Sequence, residues 1–259
     1  MIKAIYLSTD GAAETKMFLD SADEFTKGAF DISVIYTATD EAFLEGYNKL
    51  KQEKSNVGFF CYTGDTLKEY IMEILKAHKD ENIAFFTDGD VFYRNVFEKN
   101  INKALSDENV FCFSLRLGNN VTFCYNTKTG NKTFDIQDID DGMIKWNWSK
   151  HYLDFGYPLS VHGHVFRGKD IFKLVKKVTF DSAYGLEDAL QMFEYFPREF
   201  MVSYEQSAMT ALLIGEKMLK MILNIKYRKG ESINRNKIEF EKVNSCFMTH
   251  KFHFEKEKI

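Results

Sequence analysis

Within its first 90 residues the chain repeats one arrangement, a short apolar run that stops at small polar residues. Ile2 to Leu7 stops at Ser8, Thr9, Asp10 and Gly11, and Ile32 to Tyr36 stops at Thr37, Ala38, Thr39 and Asp40. Val57 to Tyr62 stops at Thr63, Gly64 and Asp65, and Ile83 to Phe86 at Thr87, Asp88, Gly89 and Asp90. Apolar runs of this length bounded by turn residues read as buried strands. Between the first two, Phe18, Ala22 and Phe25 fall at helical spacing. Between the last two, Leu67, Tyr70, Ile71, Ile74, Leu75 and His78 share one helical face. The expected fold is therefore α/β, a mostly parallel central sheet with helices on both faces. Such sheets bind ligands at the carboxyl ends of their strands, where each polar turn falls.

The remainder reads differently. Val110 to Leu115 and Val121 to Tyr125 are strand-like runs separated by Gly118, Asn119 and Asn120, the pattern of a hairpin. An irregular aromatic stretch runs from Asp135 to Arg167. Helical spacing returns with Ile171, Leu174, Val175 and Val178, and again over Leu186 to Phe196 and Gln206 to Met221. No repeat or low-complexity linker divides the chain, and Pro158 and Pro197 mark no boundary. A length of 259 residues suits one elaborated domain, 1–259, with parts 1–110, 111–215 and 216–259.

Hydrophobic residues at 45% and charged residues at 28% exclude disorder as the main theme. A net charge of −4 excludes the strongly basic footprint of a nucleic-acid binder. Cys61, Cys112, Cys124 and Cys246 show no CxxC spacing, which points to a reducing cytoplasm. No apolar stretch approaches the roughly 20 residues that span a bilayer, and the start MIKAIYLSTDG is too quickly polar for a signal peptide. Charge is uneven: from Glu216 to Ile259 there are 11 Lys/Arg against 6 Asp/Glu. That segment reads either as a solvated basic face or as a patch for peripheral docking on an anionic membrane or a phosphate-bearing substrate.

The chemistry is concentrated at Thr87-Asp88-Gly89-Asp90. Two carboxylates two residues apart at a strand end suit a hard cation, Mn²⁺ or Mg²⁺, which takes one or two carboxylates plus phosphate oxygens. The plain alternative is an Asp-Gly hairpin turn. A second is the nucleophile motif of haloacid-dehalogenase-like phosphatases. That motif normally follows the first core strand, whereas three strands precede this one, and no downstream acidic pair supplies their metal site.

With these residues the chain resembles the GT-A glycosyltransferases, particularly family-2-like bacterial enzymes. Phe113-Ser114-Leu115-Arg116-Leu117-Gly118, Trp146-x-Trp148, Asp154-Phe155-Gly156-Tyr157-Pro158 and Gly163-His164-Val165-Phe166-Arg167 are similar to segments of bacterial surface-polysaccharide sugar transferases. The resemblance covers nearly the whole chain. It implies a hexosyltransferase-type enzyme that moves a sugar from a UDP- or GDP-sugar to a glycan or glycolipid, with inversion. A non-catalytic sugar-nucleotide binder is the other reading of the same likeness.

By this resemblance Thr9 and Asp40 lie near the base and ribose, Gly64 lets the backbone pass close to the donor, and Asp88 contacts donor and metal. The family's usual Asp-Gly-Ser after the second strand is replaced by Thr37-Ala38-Thr39-Asp40, which departs from the pattern at the nucleobase. Asp88, Asp90 and His250 are the implied metal ligands. Glu187-Asp188 matches the element that supplies the general base, its plain alternative being a helix N-terminus with favourable acidic residues. Trp146, Trp148, Tyr157 and His164 are expected on the acceptor side, with aromatic faces offered to sugar rings or, alternatively, packed in the core. His162 and His164, which flank Gly163, are candidates for phosphate or metal contact, the plain alternative being satisfied structural histidines.

Overall fold

The computed structural model describes residues 1–64, 66–133, 135–193, 198–214 and 217–256. Asp65, Pro197 and the end of the expected Leu186–Phe196 helix lie outside them. The predicted alternation is present: β1 (Ile2–Thr9), α1 (Ala12–Thr26), β2 (Phe30–Thr37), α2 (Glu41–Glu53), β3 (Gly58–Cys61), α3 (Thr66–Ala77) and β4 (Asn82–Thr87). The sequence reading passed over α2, whose buried face is only Phe43, Gly46, Tyr47 and Leu50 in an otherwise polar segment. Asp40 starts this helix, its side chain accepting the Phe43 N–H at 3.0 Å as an N-cap.

β1 pairs in parallel with β2 on one side and β4 on the other, and β2 pairs with β3. The chain thus steps outward from β1 to β3 and returns to add β4 on the free side of β1. Winding reverses between β1 and β4, and loops that diverge from such a switch point leave a crevice.

The chain continues through β5 (Asp90–Phe92), α4 (Glu98–Ser106), β6 (Val110–Ser114), β7 (Phe123–Cys124), β8 (Thr129–Gly130), β9 (Gln137–Ile139) and β10 (Met143–Asn147). Next come β11 (His164–Arg167), α5 (Gly168–Lys177), α6 (Ala183–Leu190), β12 (Phe200–Tyr204) and β13 (Met209–Leu212). α7 (Lys217–Arg228), β14 (Glu231–Ile233), β15 (Phe247–Met248) and β16 (Phe254–Lys256) complete the described elements. Among the described residues the main sheet runs β3-β2-β1-β4-β11-β6-β12-β10-β9. β11 is antiparallel to both β4 and β6, so β6 and its parallel neighbour β12 run with the first four strands.

Alternation along the strands fills two cores. Ala4, Tyr6, Ala84 and Phe86 face the side covered by α1, where α2 and α7 also pack. Ile5, Leu7, Ile83 and Phe85 face the side of α3 and α5. Gly46 of α2 leaves room for Asn224 of α7, whose amide donates to the Ala42 carbonyl at 2.8 Å.

Three expectations are corrected. Val110–Leu115 and Val121–Tyr125 do not pair as a hairpin, since β6 lies between β11 and β12 while β7 pairs with β8. The intervening turn instead holds the segment before β13, with Asn120 accepting the Ser207 N–H at 2.8 Å and donating to its hydroxyl at 2.9 Å. Gln206–Met221 is not one helix. Met209–Leu212 is a fully buried strand, antiparallel to β5 and parallel to β15, and the helix begins at Lys217. The helix expected from Leu186 begins at Ala183, where Ser182 caps it by accepting the Gly185 N–H, and its helical part ends at Leu190. Among the described residues no helix is long and apolar enough to cross a membrane. Cys112, Cys124 and Cys246 are buried free thiols and Cys61 is an exposed one.

Candidate functional site

A cavity of about 370 Å³ opens at the switch point, walled by Leu7 and Thr9 of β1, Thr87 and Asp88 at the end of β4, and His162. Ala183 and Tyr184 from the first turn of α6, Leu212 of β13, Phe247 of β15 and Lys220 of α7 close the other sides.

Asp88 is fixed at the edge of this cavity by neighbours from both ends of the chain. Its Oδ1 accepts from the Ser8 hydroxyl at 2.6 Å and the Tyr6 hydroxyl at 3.4 Å. Its Oδ2 accepts from the Thr9 N–H at 2.9 Å and the Lys220 ammonium at 2.7 Å. Ser8 is oriented in turn: because it donates to Asp88, the Tyr47 hydroxyl at 2.5 Å donates to Ser8 while accepting the Gly11 N–H at 2.8 Å. Gly11 has to be glycine, since a Cβ there would meet the Asp88 carboxylate at 2.4 Å. Beneath the network Glu14, in the first turn of α1, is fully buried with no hydrogen-bond partner among the described residues. Burial, and after it the Asp88 charge, pushes its carboxyl up to about 8.

Asp90 faces inward and is fully buried. Its Oδ2 accepts the Thr87 N–H at 2.8 Å and its Oδ1 lies 3.1 Å from His162 Nδ1. Burial raises the Asp90 carboxyl, against the opposing pull of His162. For His162, burial works against the charged ring, but the Asp90 carboxylate and its hydrogen bond outweigh it and leave the pKa raised. Gly89 between the two acids has φ of +90°, and a Cβ there would meet the Leu212 carbonyl oxygen at 2.3 Å. The Leu212 N–H donates to the Gly89 carbonyl at 2.8 Å, so the turn between the acids is stitched to the cavity wall.

Of the acidic pair on α6, Glu187 is half-buried and Asp188 exposed. The Glu187 Oε2 accepts from the Ser160 hydroxyl at 3.0 Å and the Val161 N–H at 2.7 Å, next to cavity-lining His162. Glu187 lies one turn beyond Ala183, so both share a helix face. The Tyr157 phenol, raised first by burial and then by the Glu187 charge, neighbours it. Arg116 nearby is buried, and its Nε and Nη1 have no hydrogen-bond partner among the described residues. Burial disfavours its charge, while Cys246, Asp154, Glu187 and Asp90 around it favour it.

The other sequence-derived candidates fall in several places. Thr9 lines the cavity. Asp40 is exposed and occupied as a helix cap, and Gly64 is exposed in the turn after β3, outside the cavity lining. The acceptor-side expectation is corrected for Trp146 and His164. Trp146 is 1% exposed, packs on Phe155 and donates its indole N–H to the Phe155 carbonyl at 2.9 Å. His164 is wholly buried, which drives its pKa well down, and its Nδ1 meets the Pro158 carbonyl at 3.0 Å. Trp148 is part-buried with its indole N–H on the Arg198 carbonyl, and Tyr157 is part-exposed. Sequence reasoning missed Lys220, which sat in a run misread as one helix, and the contacts of Ser8, Tyr47 and Glu14 with the Asp88 network.

The resemblance to GT-A glycosyltransferases implies a divalent cation at the paired acids, but the residues as arranged do not fit one. A carboxylate has about four lone-pair sites, and Asp88 accepts four hydrogen bonds. Asp90 is buried away from the cavity, and His250 borders a different one with Asn236, Glu239 and His253. Among the described residues no three His, Cys, Asp or Glu side chains gather as a metal-binding group.

No protein-family model matches the chain, and no curated protein matches it. The crystal structure of S. aureus TarS 1-349 in complex with UDP is similar in fold, with a TM-score of 0.50 at 14% identity. The likeness covers 88% of this chain and 65% of that one, so the chain spans just under two thirds of the TarS fragment. A putative glucose-1-phosphate thymidylyltransferase from Bacillus anthracis in complex with a sucrose matches at a TM-score of 0.43 and 12% identity, over 88% of this chain and 96% of that one. At 14% identity the likeness to TarS is one of fold, and the fold is of the GT-A type.

Proposed function

We propose that the protein is a glycosyltransferase that binds a nucleotide sugar in the cavity between β1 and β4 and passes the sugar, with inversion, to a hydroxyl of a glycan or glycolipid. The observation that carries this reading is the pairing of that switch-point cavity with two differently held carboxylates, Asp88 in its wall on the β4 side and Glu187 on the α6 side, bonded to the N–H of cavity-lining Val161. That the fold counterpart TarS was crystallised with UDP supports a nucleotide sugar as the ligand class.

In the transfer the acceptor oxygen attacks the anomeric carbon from the face opposite the leaving group. The bond from that carbon to the phosphate oxygen breaks, its electron pair leaves with the nucleoside diphosphate, and the acceptor proton passes to a carboxylate. Glu187 suits this role. Two donors on one oxygen orient it, whereas Asp188 points to solvent. The part-exposed aromatic candidates for the acceptor side are Trp148 and Tyr157.

Incubation with a panel of UDP-, GDP- and CDP-sugars tests the reading. Slow donor hydrolysis that accelerates when an acceptor is supplied is the expected result. Phosphate release from simple monoesters would sink it in favour of a phosphatase, and tight binding without turnover in favour of a non-catalytic binder.

A further inference from the structure

A nucleotide sugar brings a diphosphate into the cavity, and some group has to meet that charge as it grows on the leaving group. The sequence points to a divalent cation on Asp88 and Asp90. The geometry points to a side chain instead. Asp88 has four donors on its two oxygens, so a metal gains a lone pair only by expelling one of them. Two of the donors belong to residues that line the cavity, the Thr9 N–H and the Lys220 ammonium. A dication bound to Asp88 would stand within a few ångströms of it, and like charges at that range in a part-buried site repel strongly. Asp90 offers no alternative, being sealed from the cavity with its oxygens engaged by Thr87 and His162.

Lys220 has what the diphosphate needs. An ammonium carries three hydrogens. Among the described residues two are used, on the Thr9 carbonyl at 2.5 Å and on Asp88 at 2.7 Å. The residue lines the cavity, which leaves the third for a ligand. Asp88 then acts as the positioning residue: its charge is cancelled by Lys220, so it does not repel phosphate, and it holds the ammonium at the strand end where the phosphates arrive.

We propose that Lys220 takes the place of a divalent cation at the diphosphate, so that the site binds a nucleoside diphosphate without metal. The proposal rests on the donor reading above, and its test separates the two. Calorimetric titration of the intact protein with UDP and with GDP, once in EDTA and once in Mn²⁺, is expected to give affinities within about threefold of each other, well inside the tenfold that 1.4 kcal/mol represents. Lys220→Gln, which keeps a neutral donor toward Asp88, is expected to weaken binding roughly 10- to 100-fold, the range for one charge-assisted hydrogen bond. Lys220→Arg, which keeps the charge, is expected to retain most of the affinity. Binding that appears only with Mn²⁺ overturns the lysine proposal and leaves the donor reading standing. No binding of either nucleotide under either condition overturns both. Lys220→Gln that is folded by circular dichroism and binds like the parent removes Lys220 from the diphosphate. The EDTA comparison on the parent protein decides the matter even if a variant fails to fold.

Discussion

Lys220 and Asp88 are 132 positions apart in the chain and 2.7 Å apart in space. The contact joins the first turn of the last long helix to the end of the fourth strand, and both side chains stay mostly out of water, at 19% and 14% exposure. Removing one partner leaves the other charge part-buried and alone. Lys220→Met and Asp88→Asn are each expected to cost about 1–3 kcal/mol, and the double variant less than the sum. Urea unfolding of the three variants checks this; additive losses would mean that the pair is not coupled in solution.

The acids on α6 are expected to separate in kinetics. Glu187→Gln lowers kcat by a factor on the order of 10²–10⁴, the range for a lost general base, while donor KM stays near that of the parent. Asp188→Asn, altering a solvent-facing side chain, keeps most of the rate. The reverse pattern would return the base to Asp188.

Glu14 gives stability a pH dependence of definite sign. Its carboxyl lies at about 8 in the folded protein against an ordinary 4.5, through burial first and then Asp88, with Asp10 adding to the rise and Lys220 opposing it. Between those values the unfolded chain releases the proton and the folded chain keeps it. Stability from this group is therefore whole below about 4.5 and declines as pH rises through the window to about 8. Glu14→Gln should flatten that part of the melting-temperature profile and leave the variant ahead of the parent at the alkaline end. Parallel profiles would assign the slope to another group.

Gly89→Ala is expected to destabilise by about 2–4 kcal/mol, combining a left-handed backbone with a collision against the β13 backbone. At 2.3 Å from the Leu212 carbonyl oxygen the added carbon has no flexible neighbour to displace. Chemical denaturation measures the loss, and a change under about 0.5 kcal/mol would show that this turn can relax.

How much of this was legible in the sequence depends on distance along the chain. The strands from Ile2 to Thr87 announced themselves because each is an unbroken apolar run closed by turn residues, and the cavity position followed from where those runs end. α2 was missed because three large apolar residues make a weak signal among charges. β13 was missed because four residues are too few for a period of two to show inside a segment that also fits helical spacing. Trp146 and His164 carried a signal for chemistry that residue type alone does not resolve. An aromatic ring looks the same in a core as beside a sugar, and only the sheet register sends both inward. Lys220 gave no local signal, since its meaning is set by the docking of α7 on α1 and α2.

That docking also sets the order in which the protein acquires its site. A chain emerging from the ribosome can wind β1 to β4 once the first 90 residues are out, since the pairings that join these four strands all lie within that stretch. Asp88 then has Ser8, Tyr6 and the Thr9 N–H, but its cation lies 132 residues further along the chain and is yet to be made. The Leu212 wall stitched to Gly89 is also yet to be synthesised. Nascent chains stopped before α7 should consequently bind nucleotide more weakly than the full chain even where their sheet has formed, so that full competence arrives late in translation rather than with the fold's first half.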